Sequence, residues 1–101
     1  MTVRTTAIDR YVVDTLLRDV VGHDHRPSAF LVYLYLATRH DHPRGRPPVQ
    51  LSHAELARAV GISRSAVQGA IGHLKRRRLI RIERESPTAT PRYEVLSPWR
   101  R

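Results

Sequence analysis

The sequence predicts a mainly α-helical domain carrying a small β-sheet, its elements in the order α-α-β-α-α-β-β. Three observations lead there. Ile8, Val12, Leu16 and Val20 recur every four residues and are flanked by Val13, Leu17 and Val21, which makes a wide apolar helical face. Two helix-start signals, at Ser52 and Ser63, stand on either side of Gly61. Finally, Ile80-Arg81-Ile82-Glu83 and Tyr93-Glu94-Val95 alternate with period two, as antiparallel strands do.

Thr6 is the expected cap of the first helix, with Asp9 three residues on and able to reach back. Gly22 and the polar stretch His23–Arg26 end that helix. Pro27-Ser28 opens the apolar run Ala29–Ala37, whose length and continuation through Thr38-Arg39-His40 predict a central buried helix. Asp41–Pro48, with its three prolines and a glycine, predicts a loop. Val49-Gln50-Leu51 suits only a brief strand. Ser52-His53-Ala54-Glu55 has the pattern of a capping box and starts a helix through Val60, which Gly61 breaks. Ser63 caps the next helix, running to about Arg77. Ser86–Pro91 is a turn-forming loop between the last two strands.

A chain of 101 residues is the size of one domain, 1–101. Within it, residues 1–26 form the N-terminal helix and turn, which offer a dimerisation element. Residues 27–96 form the core, and 97–101 a tail. Lys+Arg 18 against Asp+Glu 9 gives a net charge of +9. That excess favours a polyanionic partner, nucleic acid first and an anionic membrane surface second. The charge is uneven: five Arg and four Asp in residues 1–40, but 13 basic and five acidic residues in 41–101. Seventeen of the basic residues are Arg, as a GC-rich genome favours; Arg is also the better planar partner for phosphate and guanine. The absence of cysteine excludes a disulfide framework and thiolate metal or redox sites. No segment reaches the roughly 18 apolar residues of a membrane span and no signal-peptide pattern opens the chain, so no membrane partner and a cytoplasmic location are expected.

His53–Gly72 resembles the helix-turn-helix of bacterial DNA-binding proteins. Such a unit needs a small residue where its helices touch, here Ala57, and a turn residue tolerant of positive φ, here Gly61. It also needs apolar residues that lock the helices together: Leu56, Val60, Ile62, Val67 and Ala70. The wider stretch Leu51–Leu96 resembles the winged form of this fold, as in GntR-like and MarR-like regulators. Leu74-Lys75-Arg76-Arg77-Arg78-Leu79-Ile80 stands where those proteins pass from recognition helix into wing. The resemblance implies a winged helix-turn-helix that binds double-stranded DNA, nucleoid-associated when bound. It departs from the pattern at Arg78, where the family usually has a helix-ending glycine. A non-glycine residue at positive φ costs on the order of 1 kcal/mol there, so a differently shaped helix end is expected.

Within the recognition helix Ser63–Arg77, steps of about 100° per residue put Val67, Ala70, Ile71 and Leu74 on the core face. Ser65, Gly69, Gly72 and Arg76 lie opposite, with Gln68 and His73 on the flanks. The two glycines cost up to about 1 kcal/mol each relative to Ala. Either they let the helix sit close to a groove floor, or they are tolerated surface sites or pack on a partner. Arg64, Ser65 and Gln68 are the candidates for reading bases in the major groove, since Arg can bond guanine and Gln adenine bidentately, and the capping Ser63 and the flanking His73 are further candidate DNA contacts. Lys75 and Arg76 are candidate phosphate contacts, although cations at a helix C-terminus also complement the macrodipole. Arg84 and Arg92 flank the tip of the wing, 80–95, where such residues lie on phosphates or in the minor groove. Arg44 and Arg46 are weaker candidates in the preceding loop.

Other constellations carry less. His23-Asp24-His25 and His40-Asp41-His42 could each offer metal ligands, but the helix between them separates them by roughly 20 Å, so they are read as solvated loop residues. Tyr33 and Tyr35 are read as core or interface, and Trp99 as an anchor of the tail on the domain or on a second subunit. No cysteine nucleophile, Gly-x-Ser-x-Gly, phosphate-cradling glycine loop or paired-carboxylate motif is present, so neither an enzyme nor a cofactor is expected. No pocket for a small-molecule effector is inferable. The expected function is transcription regulation by a homodimer on a palindromic operator. Two alternatives stand beside it: a DNA-binding module of a plasmid or phage replication initiator or mobile-element protein, and a winged protein-interaction module.

Overall fold

Helix–strand order follows the sequence reading closely in the computed structural model, which describes residues 3, 5–39 and 49–100. The loop Asp41–Pro48, with Arg44, Arg46 and the His40-Asp41-His42 triplet, lies outside the described residues. An N-terminal helical segment leads to α1 (Pro27–Arg39), β1 (Val49–Gln50), α2 (His53–Val60), α3 (Arg64–Arg76), β2 (Ile80–Glu83) and β3 (Arg92–Val95). The result is mainly helical with one small antiparallel sheet, a winged helix-turn-helix.

The N-terminal segment departs from expectation in two ways. It becomes helical at Arg10 rather than just after Thr6. Over Val12–Leu16 and Arg18–His23 it is wound as a π-helix, with Leu17 N–H donating to Val12 O and Asp24 N–H to Asp19 O. The apolar spacing still does its work, burying Val12, Leu16 and Val20. Asp9, the residue before Arg10, accepts from Val12 N–H at 3.0 Å through its backbone carbonyl. Its carboxylate accepts from Trp99 Nε1 at 2.8 Å and from Arg100 Nε and Nη2 at 2.6 Å each. Trp99 also stacks on Tyr11, with centroids 4.6 Å apart. The tail is therefore anchored within the chain.

Pro27 starts α1 at a position where its missing N–H costs nothing. Its face of Ala29, Phe30, Val32, Tyr33 and Leu36 is buried against the N-terminal segment, α2 and α3. Tyr33 belongs to this core, and its hydroxyl donates to Leu96 O at 3.0 Å. Burial holds that phenol un-ionised and raises its pKa to about 12. Tyr35 is only half-buried and carries the Arg39 guanidinium over its ring at 4.9 Å.

The sheet has the order β1-β3-β2 with both pairings antiparallel. Val49 pairs with Tyr93, and Ile80, Arg81, Ile82 and Glu83 pair with Val95, Glu94, Tyr93 and Arg92. The brief strand is thus the third member of the wing, and fully buried Tyr93 ties the sheet to the helices.

Candidate nucleic-acid interface

The helix-turn-helix is built by local chemistry. Ser52 Oγ accepts from Glu55 N–H at 3.1 Å while Glu55 Oε1 accepts from Ser52 N–H at 2.9 Å, a complete capping box. Those bonds hold the Glu55 carboxyl below its ordinary pKa. Gly61 ends α2 at φ 85°, its N–H donating to Ala57 O at 2.8 Å. A side chain there would be strained, which is why the turn takes glycine. Ser63 then caps α3, Oγ accepting from Ala66 N–H at 3.0 Å.

The core face of α3 is Val67, Ala70, Ile71 and Leu74, all buried. Leu56 and Ala57 of α2 are buried with them, and Val60 and Ile62 pack at the margin. This leaves Arg64, Ser65, Gln68, Gly69, Lys75 and Arg76 exposed on the far side. Gly69 meets open space. Over Gly72 the Arg76 guanidinium folds back, one Nη standing 3.5 Å from where a Cβ would be. The end of α3 is a Schellman turn: Arg78 N–H donates to Lys75 O at 3.0 Å and Leu79 N–H to Leu74 O at 2.9 Å. Arg78 sits at φ 57°, so the helix end keeps the glycine shape without the glycine.

Several candidate side chains are engaged within the chain. His73 is not presented outward: its Nε2 lies 2.8 Å from Asp24 Oδ2, where Arg77 Nε also approaches to 3.0 Å. His23 Nδ1 holds the other oxygen at 3.0 Å. Asp24 is thus the centre of a cluster, not a solvated loop residue, with its side chain 10% exposed. The His23 hydrogen bond first, opposed by burial, then His73 and Arg77, brings its pKa down to about 2. No group of three or more His, Cys, Asp or Glu able to hold a metal occurs among the described residues. In the wing, Arg92 Nη2 donates to Glu85 at 2.6 Å, and Arg81 pairs with Glu94 across β2 and β3.

Arg64, Lys75, Arg76 and Arg84 have no carboxylate partner among the described residues. Two of them, Arg64 at the start of α3 and Arg84 just after β2, act through their charge on His53, the first residue of α2. Burial, then Arg84, then Arg64 push the His53 pKa down. Its Nε2 is sealed from solvent without a hydrogen-bond partner, as is the Tyr93 hydroxyl, whose pKa burial raises to about 12. Sequence reasoning placed His53 only within the capping box. Nothing in its local pattern signals the two arginines, whose charge reaches it only after folding.

No helix among the described residues is long and apolar enough to cross a membrane. No curated protein and no solved structure matches the chain. Residues 25–96 match the family described as the Crp-like helix-turn-helix domain, from the turn before α1 to the end of the wing. It is this family, rather than the GntR-like and MarR-like regulators which the same stretch resembles, that the match identifies. With its turn at Gly61, its capped and outward-facing α3 and its three-stranded wing, the chain belongs to the Crp-like helix-turn-helix domains, a DNA-binding rather than a catalytic family.

Proposed function

We propose that the chain binds double-stranded DNA sequence-specifically as a homodimeric transcription regulator. The recognition helix, Ser63–Arg77, enters the major groove, and the wing, 80–95, lies on the backbone and minor groove. One observation carries this reading: Arg64, Ser65 and Gln68 stand exposed on the first turns of a helix whose opposite face is wholly committed to the core. Helix N-terminal positions of this kind reach base edges. Arg64, Lys75, Arg76 and Arg84, exposed and without carboxylate partners among the described residues, supply the positive field that a duplex needs.

The dimer reading rests on the apolar side chains left exposed beside the core, Tyr11 and Val13 on the N-terminal segment and Leu31 on α1. Sedimentation at micromolar concentration should give twice the chain mass; a monomer both free and on DNA removes the dimer. The test of DNA binding is a salt titration on a duplex. With about six phosphates neutralised, log K falls against log[salt] with a slope of about −5. No binding, or a flat dependence, overturns the reading and favours a protein-interaction module.

A further inference from the structure

Between the start of α1 and the outward side of α3 lies an open cleft of about 230 Å³. Arg26, Pro27, Ser28 and Ala29 line it from one side, and Ser65, Ala66, Gly69 and Ala70 from the other. Nothing fills it: a Cβ on Gly69 would meet no atom within 4 Å. Arg26 is the cation on its wall, exposed and without a carboxylate partner among the described residues. Its backbone is fixed on both sides. Its N–H donates to Val20 O at 2.9 Å, and its carbonyl accepts from Ala29 N–H at 3.0 Å and Phe30 N–H at 3.3 Å.

The position of this cleft on α3 gives it meaning. A helix with its side chains is about 10–12 Å across, and the major groove is about 12 Å wide. A helix inserted there has a sugar–phosphate strand against each flank. One flank of α3 carries Arg64, Gln68 and Lys75, and α3 packs against β2 of the wing. The other flank carries Ala66, Gly69 and His73 and faces the start of α1, through the cleft and through the His73–Asp24 bond. Between Ala66 and Gly69 that flank offers no cation, and Arg77 at its far end is held by Asp24. The small side chains leave room for a strand, and the positive charge comes from Arg26 across the cleft.

We propose that this cleft seats the phosphate backbone bordering the major groove on the side away from the wing, with Arg26 as the residue that grips it. The proposal rests on the major-groove reading above and extends the interface into residues 1–40, whose near balance of charge gave no sign of it. Ser28, half-buried on the same wall, adds a hydroxyl donor toward the strand.

The test uses the full chain and a labelled random-sequence duplex, titrated by fluorescence anisotropy between about 50 and 200 mM salt. Arg26→Ala should weaken binding about fivefold to tenfold near 0.1 M salt and reduce the salt slope by about one. Arg26→Lys, which keeps the charge, should retain the slope. Arg18→Ala, an exposed cation on the N-terminal segment, should bind as the unaltered protein does. If Arg26→Ala matches the unaltered protein in affinity and slope while that protein binds in a salt-dependent way, the cleft is overturned and the major-groove reading survives. Equal losses from Arg18→Ala and Arg26→Ala would reduce the effect to net charge and overturn it too. If the unaltered protein binds no duplex, the major-groove reading falls and the cleft falls with it.

Discussion

His73 of the recognition helix donates from Nε2 to Asp24 Oδ2 at 2.8 Å, across 49 positions of sequence. The direction of that bond follows from the charge state. A carboxyl whose pKa is about 2 is ionised at neutral pH and only accepts, so the imidazole must donate. Arg77 approaches the same oxygen at 3.0 Å. One turn residue therefore holds the last two turns of α3 against the segment that precedes α1. It also gives His73 and Arg77 a carboxylate partner beside the face assigned to DNA.

Asp24→Asn tests this clamp. The amide keeps the shape and one accepting oxygen but not the charge, so His73 and Arg77 lose the charge-assisted part of their bonds. A loss of about 1–3 kcal/mol is expected in urea unfolding at pH 7. The pH dependence has a fixed sign. The folded-state pKa of Asp24 lies below its unfolded value, so the stabilisation is complete above about pH 5 and drains away as pH falls toward 2. The gap between the two proteins should close over that range. A gap unchanged at pH 2 would mean that the carboxylate charge is not what stabilises the turn.

Arg78 gives a stability prediction of opposite sign. It holds φ 57° at the C′ position of the Schellman turn, a conformation that costs a side-chain-bearing residue about 1 kcal/mol. Arg78→Gly should remove that cost and raise the melting temperature by a few degrees. Arg78→Ala, which keeps a Cβ, should not. Calorimetry of the two variants decides the matter; equal melting temperatures would place the cost elsewhere.

What was legible in the sequence is what neighbouring residues decide among themselves. Ser52, Glu55, Gly61 and Ser63 act on backbone groups within four positions, so the helix-turn-helix and its boundaries could be read directly. Period-two alternation likewise exposed β2 and β3. What escaped depends on partners far along the chain. Asp9 had the spacing of an acid that reaches back to a capping Thr6, yet Trp99 and Arg100, about 90 positions on, give its carboxylate three hydrogen bonds. Asp24 seemed a solvated loop residue because His73 and Arg77 are invisible from its neighbourhood. The π-winding of the first helix also escaped, since a four-residue apolar spacing serves either helix.

Gly69 should separate folding from binding. A methyl group there meets open space, and replacing a mid-helix glycine by alanine gains up to about 1 kcal/mol. Gly69→Ala is therefore expected to melt at a higher temperature. If close approach to the duplex is the reason for the glycine, the same variant binds DNA more weakly. Thermal melts and duplex titrations on one preparation measure both. Unchanged affinity with raised stability would make Gly69 a tolerated surface site.

The two pairs of side chains should fail differently. On the proposed reading Arg64 and Gln68, on the first turns of α3, would meet base edges, and Arg84 and Arg92, at the wing, would meet the backbone. Arg64→Ala or Gln68→Ala should cost roughly 1–3 kcal/mol on the preferred site and much less on random duplex. Arg84→Ala should weaken both alike and reduce the salt slope by about one. Arg92 differs from Arg84, because its guanidinium is already bonded to Glu85 at 2.6 Å and must exchange that carboxylate for a phosphate. Arg92→Ala should therefore cost less than Arg84→Ala. Glu85→Gln, which releases Arg92, should strengthen binding to both duplexes. Titrating the five variants on both duplexes at two salt concentrations gives the pattern. Were Arg84→Ala to change sequence preference while Arg64→Ala did not, the wing would be the reading element and α3 the positioning one.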